Sequence, residues 1–236
     1  MLERLDYMKI APRRILDAAS GPPRRALARR YPQAQVVALD FSLPMLRPRG
    51  FRFFRKDLSI CGDLASLPVA AEAVDFVWCN MALHWLSDPL PAFREFARVL
   101  TPEGLLMFST LGPDTLKELR AAAGAARVHG FIDMHDLGDM LVAAGFSAPV
   151  MDMEMIELVY DARTTLLDDL KASGQTNARA DRARGLAGRR FGERMRAAQL
   201  GRATFEVVYG HAWNATQAHR TANQSPKTVR VFKRMP

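Results

Sequence analysis

Short apolar blocks alternate along the chain with stretches of helical spacing. Ile15-Leu16-Asp17 is an apolar run ending on an acid, and Ala18-Ala19-Ser20-Gly21-Pro22-Pro23 follows it, which predicts a strand and a tight turn. Ala26, Leu27 and Tyr31 then recur at helical spacing. Val36 to Asp40 is a second buried strand that again ends on an acid, and Ser42 is placed to cap a short helix through Met45 and Leu46. Leu58 to Cys61 and Val74 to Trp78 give a third and a fourth strand. Pro91 to Leu100 has an amphipathic helical pattern, Thr101-Pro102-Glu103-Gly104 reads as a turn, and Leu105 to Phe108 is a fifth strand. Continuous apolar strands alternating with helices mean βαβ units and a parallel sheet covered on both faces.

The alternation relaxes after Thr110. Asp114 to Ala126 and Met134 to Ala144 predict helices, the second closed by Gly145. Val150 to Tyr160 alternates as a half-buried strand does, with Met151, Met153 and Met155 on its core side. Asp161 is placed to cap a helix through Lys171. Residues 174–190 are polar and arginine-rich, as in a surface loop or lid. Phe205 to Trp213 is a last strand, and residues 214–236 are a polar and basic tail.

Composition narrows the class. Of 236 residues, 49% are apolar and 25% charged, which argues against wholesale disorder. There is no apolar run long enough for a transmembrane helix, and MLERLDYMKIAPRR lacks the apolar core of a signal peptide. Cys61 and Cys79 cannot form a disulfide framework or a zinc site alone, and both read as reduced core thiols of a cytoplasmic protein. The net charge of +8 is unevenly spread. Residues 1–56 hold 13 Lys/Arg against 4 Asp/Glu, residues 57–176 hold 7 against 18, and residues 177–236 hold 13 against 3. A basic surface draws polyanions, whether nucleic acid, an anionic membrane or an acidic protein. Arginine far outnumbers lysine, and the same excess also fits coding bias.

The chemistry sits in the residues that close the first four strands. Asp17, Asp40, Asp63 and Asn80 each follow one of those runs, where open α/β sheets bind ligands. Asp40 lies 19 residues after Gly21, the spacing at which an acid can take two ribose hydroxyls beside a glycine turn. Only Gly21 remains of a possible G-x-G-x-G, because Ala19 and Pro23 hold the flanking positions.

Around these residues the chain resembles class I S-adenosylmethionine-dependent methyltransferases. ILDAASGPP resembles their first motif, VVALDFSLPMLR the ribose-binding strand, GDLASLP the adenine-binding turn, and VDFVWCNMALHW with RVLTPEGLLMFST the fourth motif and the strand beyond. FSTLGPDTLKELR, FIDMHDLGDMLVAAGF, PVMDMEMIELVY and TFEVVYGHAW are similar to the malonyl-acyl carrier protein O-methyltransferases of biotin synthesis. The resemblance implies a Rossmann-like α/β fold: a seven-stranded, mostly parallel sheet with one antiparallel strand and helices on both faces. It implies one domain over residues 1–213, with a cofactor half to about residue 110 and a substrate-side half beyond it.

By the same resemblance, Asp17, Ala19 and Gly21 would line the methionine part of S-adenosylmethionine. Asp40 would hold the ribose with Met45 nearby, Asp63 and Leu64 would meet the adenine, and Asn80 to His84 would lie near the transferred methyl. The reaction implied is methylation of the free carboxylate of malonyl on its acyl carrier protein, with neither nucleic acid nor membrane as partner. A carboxylate is ionised at neutral pH and needs no general base. His84, Arg163, Tyr209 and His211 are candidates to hold it, and Arg182, Arg184, Arg189 and Arg190 to dock the acidic carrier. Ala19 and Pro23 depart from the family's glycines, the stretches 21–31 and 122–129 are short, and little chain precedes the first strand to cover the site. These departures keep open an alternative, a catalytically impaired methyltransferase-like binding or assembly protein.

Overall fold

In the computed structural model, the described residues are 1–21, 26–46, 58–160, 165–177, 182, 185, 188–198 and 201–215. Seven strands form one sheet: β1 (Arg14–Ala18), β2 (Gln35–Asp40), β3 (Leu58–Cys61), β4 (Val74–Asn80), β5 (Leu100–Leu111), β6 (Phe146–Val159) and β7 (Arg202–Asn214). Their order is β3-β2-β1-β4-β5-β7-β6. The first five strands are parallel, and β7 runs antiparallel to both β5 and β6. The chain therefore winds outward from β1 to β3, returns across β1, and continues from β4. That reversal opens a crevice above the carboxyl ends of β1 and β4.

The helices are α1 (Ala26–Arg30), α2 (Leu43–Leu46), α3 (Leu90–Val99), α4 (Lys117–Ala123), α5 (Met134–Ala143), α6 (Leu166–Ala172) and α7 (Arg189–Ala197). One sheet face packs Val77, Cys79, Phe108 and Val208 against α3 and α5, with Phe93 and Phe96 fully buried. The other face packs Ile15, Phe76, Trp78 and Met107 beneath α1 and the 3₁₀ turn Leu2–Tyr7. A third cluster joins α4 and α6 to β7 through Leu119, Leu166 and Ala203. Asn214 locks the base of the sheet, donating to the carbonyls of Ala97, Leu100 and Thr101 at 2.8–3.1 Å. Among the described residues, no helix is long and apolar enough to cross a membrane.

Several expectations are corrected. The turn at 101–104 is absorbed into β5 as a register shift between the Val74 and Phe76 pairings, with Glu103 at φ +63°. The helix expected from Asp114 starts only at Lys117, because Leu116 is left-handed (φ +57°) and the Glu206 carboxylate holds the Asp114 N–H at 2.8 Å. Strand β6 is an edge strand, so Met153 and Met155 are exposed and only Met151 packs on the core. Cys61 lies exposed on the opposite edge, whereas Cys79 is buried and burial pushes its thiol up. Thr165 caps α6, its hydroxyl accepting from the Asp168 N–H, and Asp161 lies outside the described residues. Part of the polar stretch 174–190 and nearly all of the tail also lie outside them, and Arg189 and Arg190 open α7. Gly145 follows α5 at φ +96°, as a helix-closing glycine does.

Candidate active site

A cavity of about 480 Å³ opens at the crevice, lined by Asp17, Ala19, Gly21, Trp78, Asn80 and Met81, with Met1 and Leu2 at its edge. The turn at its mouth is built from backbone. Ala19 takes φ +54° and Gly21 φ +60°. An alanine pays roughly 1–2 kcal/mol in that region, which a glycine avoids. The chain thus adopts at Ala19 the conformation a glycine would supply, at a strain cost. Ala19→Gly is expected to stabilise the fold by up to about 1 kcal/mol, once glycine's larger unfolded-state entropy is counted. A lower urea midpoint for the variant would show instead that packing of the methyl on the core outweighs the strain.

Asp40 braces this turn. Its Oδ2 accepts from the Gly21 N–H at 2.9 Å and its Oδ1 from the Ser42 N–H at 2.8 Å, while its carbonyl accepts from the Gly62 N–H at 3.1 Å. One residue therefore ties together the ends of β1, β2 and β3. A carboxylate has about four acceptor positions, so two remain for hydroxyls. Asp63 closes its own turn through the Ala65 N–H at 2.9 Å, and Leu64 beside it is buried. That loop is held from α3. Glu95 accepts from the Leu67 N–H at 2.7 Å, and Arg98 donates to the carbonyls of Leu67 and Val69. Met45 is exposed on α2 and does not line the cavity.

At β4, Asn80 Oδ1 accepts from the Ser109 hydroxyl at 2.9 Å, and the Met81 N–H donates to Ser109 at 2.9–3.1 Å. Register carries this row across the sheet, since Asn80 pairs with Ser109, Ser109 with Tyr209, and Tyr209 with Asp152. Tyr209 and His211 line a second cavity of about 450 Å³ beneath the turn Leu2–Tyr7, which among the described residues shares only Met1 with the first. There Arg4 lies 4.0 Å from the Tyr209 ring centre and pairs with Asp152 at 2.6 Å, and the Tyr209 hydroxyl donates to Glu154 at 3.3 Å. Burial raises the Tyr209 phenol with help from Glu154, and burial with nearby Arg4 lowers His211.

His84 stands elsewhere, in the 3₁₀ turn Leu83–Trp85, its ring 5.2 Å from that of Trp85. Burial, reinforced by His129, pushes His84 down to about 4. Of the sequence-predicted site residues, the structure gathers Asp17, Ala19, Gly21 and Asn80 on one cavity, with Asp40 bracing it. It sets Asp63, Leu64 and Met45 on the neighbouring turns, and places Tyr209 and His211 in one adjoining pocket and His84 in another. Arg163 and Pro23 lie outside the described residues. Sequence reasoning missed Ser109, which positions Asn80, and His129, whose Nε2 donates to the His84 carbonyl at 2.6 Å.

Comparison with known proteins agrees with this geometry. A family model described as a methyltransferase domain matches residues 16–108. A malonyl-acyl carrier protein O-methyltransferase of Methylovorus sp. is 50% identical over 235 residues, covering 90% of this chain and 79% of that protein. The enzyme of the same name from Laribacter hongkongensis is 51% identical over 236 residues, covering 90% and 80%. This chain belongs to the malonyl-acyl carrier protein O-methyltransferase family. The fold is shared more widely than the family, since the YcgJ protein of Bacillus subtilis superposes with a TM-score of 0.63 at 18% identity, over 91% of this chain and 97% of that one.

Proposed function

We propose that this chain transfers the methyl group of S-adenosylmethionine to the free carboxylate of malonyl on its acyl carrier protein, giving the methyl ester, in the cytoplasm. The observation that carries the reading is the cavity at the β1/β4 reversal, with its left-handed Ala19–Gly21 turn anchored by Asp40. Its residues fit the cofactor. Asp17, Ala19 and Gly21 would hold the methionine end, Asp40 would offer its two open acceptor positions to the ribose, and Asp63 with Leu64 would border the adenine. When bound, S-adenosylmethionine supplies an electrophilic methyl on a sulfonium. The acceptor carboxylate is already ionised, so no residue need remove a proton. The protein's share is to orient the carboxylate and exclude water. Asn80, fixed by Ser109, lines that cavity.

The exposed Arg189 and Arg190 at the start of α7 support docking of an acidic carrier. The division into a cofactor half and a substrate-side half belongs to the same proposal. The alternative of an impaired binding protein rested on Ala19, Pro23, the short stretches and the short segment before the first strand; of these, Ala19 adopts the turn conformation that a glycine would. Incubating the purified protein with radiolabelled S-adenosylmethionine and malonyl-acyl carrier protein tests the reading. The expected product is a base-labile methyl ester on the carrier, with acetyl-carrier unlabelled because it has no free carboxylate. Equal labelling of both carriers, or of neither, would refute the proposal.

A further inference from the structure

Strand β6 closes one edge of the sheet, and among the described residues no strand pairs with its outer side. Its first third is broken up, since Pro149 lies there and the register with β7 shifts between Ser147 and Val150. Both features discourage pairing with a further strand. Asp152 to Val159 has neither. All eight of these residues are exposed, so both faces stand open as well as the edge. Met153, Met155, Ile156, Leu158 and Val159 among them are apolar. A long apolar edge of this kind invites another strand.

Charge and pattern identify the strand that fits. Residues 146–160 carry three acids, Asp152, Glu154 and Glu157, and no Lys or Arg. Asp152 and Glu157 each hold an arginine, yet their side chains stay 56% and 50% exposed, with acceptor positions to spare. A second copy of β6 would bring two acidic edges together, and like charges set opposite each other weaken a strand pair. The fitting strand is therefore basic. Residues 216–236 lie outside the described residues, and their sequence holds five Lys/Arg and no Asp/Glu. Within it, Thr228-Val229-Arg230-Val231-Phe232-Lys233 is rich in strand-forming residues.

We propose that residues 228–234 of this chain add to the outer edge of β6 as a parallel strand, so that the chain's own basic tail seals its acidic edge. The connection sets the direction. Strand β7 ends at Asn214, which pairs with Phe146, so the tail leaves beside the start of β6. With Thr228 beside Asp152, Arg230 meets Glu154 and Lys233 meets Glu157, while Val229, Val231 and Phe232 meet Met153, Met155 and Ile156. Pro226, which cannot donate to a ladder, then falls beside Val150 at the register shift. Asp152 lies about 20 Å along β6 from Phe146. A flexible connection the length of residues 216–227 averages roughly 20 Å end to end. Run antiparallel, the same two ion pairs re-form with Lys227 beside Glu157 or Tyr160, about 36 to 45 Å along. The connection spans at most about 43 Å and must also cross β6, so it would be stretched nearly straight or fall short.

Cross-linking in the full chain tests both the contact and its direction. With Cys61→Ser in the background, Met155→Cys and Val231→Cys are expected to form a disulfide within one chain on mild oxidation, seen as a faster-migrating monomer without reductant. Ile156→Cys with Val231→Cys, on opposite faces in this register, should cross-link at least tenfold more slowly. Equal rates for the two pairs, a disulfide joining two chains, or none at all would overturn the proposal. Hydrogen exchange gives a second readout without added cysteines. Val231→Pro removes an N–H from the added strand. The amides of Met153–Val159 that do not bond to β7 are expected to exchange at least tenfold faster in that variant. Amides of β4 and the affinity for S-adenosylmethionine should stay within twofold. Unchanged exchange along β6 would overturn the proposal.

Discussion

Asp40→Ala is expected to weaken S-adenosylmethionine binding about 100-fold while leaving the protein folded. The carboxylate accepts from the Gly21 and Ser42 N–H groups at 2.9 and 2.8 Å. Hydrogen bonds to a charged group are worth roughly 1.5–3 kcal/mol each, and a factor of 100 corresponds to about 3 kcal/mol. The loss has two sources. The turn at Ala19–Gly21 is no longer pinned in its left-handed form, so part of the binding energy goes into ordering it. The two acceptor positions open to the ribose also vanish. Asp40→Asn keeps the shape and one acceptor oxygen, and should lose closer to tenfold. Isothermal calorimetry on both variants, with circular dichroism as the folding control, makes the measurement. Unchanged affinity in Asp40→Ala would mean that the ligand sits elsewhere.

Acidification should destabilise the protein through His84, and His84→Phe should remove that part of the effect. His84 is held at about 4 by burial and by His129, below its ordinary value near 6.5. The unfolded chain therefore takes up a proton as pH falls through 6.5, while the folded chain does not until near 4. The unfolded state binds more protons in that window, so stability is full above about 6.5 and falls as pH drops toward 4. Between pH 7.5 and 5 this one group accounts for about 2 kcal/mol. Urea denaturation at the two pH values should show a pH-dependent loss smaller by that amount in His84→Phe than in the unsubstituted protein. Identical losses would show that His84 is protonated in the folded state. Every other titrating group is common to both proteins, so the difference isolates this imidazole.

Both effects depend on residues that the sequence pointed to, but for unequal reasons. Asp40 was legible because period and position coincide: an acid closing an apolar run, at a fixed interval from a glycine turn, is a local pattern. His84 was legible only as a candidate to hold the carboxylate. Its partner His129 lies 45 residues away and follows no spacing rule, since their contact depends on how the turn at Ala125–Arg127 folds over the sheet. Tyr209 and His211 are likewise legible only as candidates to hold the carboxylate. Which cavity they enter is set by the antiparallel pairing of β7 with β5 and by Arg4, which reaches them from the start of the chain.

The sequence by itself determined the parallel half of the sheet, the acids at its strand ends and the family resemblance. The first two are written in short-range periodicity, in which an apolar strand fully buried by helices on both faces leaves an unbroken hydrophobic run, and the resemblance lies in the motifs around them. It misjudged β6, because alternation of Met and acid looks the same on an edge strand open to water as on a half-buried one. It also left open whether Ala19 breaks the glycine turn. Only the tertiary structure decided that point, because backbone conformation at one residue follows from the constraints on either side. Here these are the strand pairing of β1 and the bond from the Gly21 N–H to Asp40. The same holds for His84, whose ring nitrogens are buried with no hydrogen-bond partner among the described residues, since burial is a property of how distant segments meet and leaves no trace in the residues taken one by one.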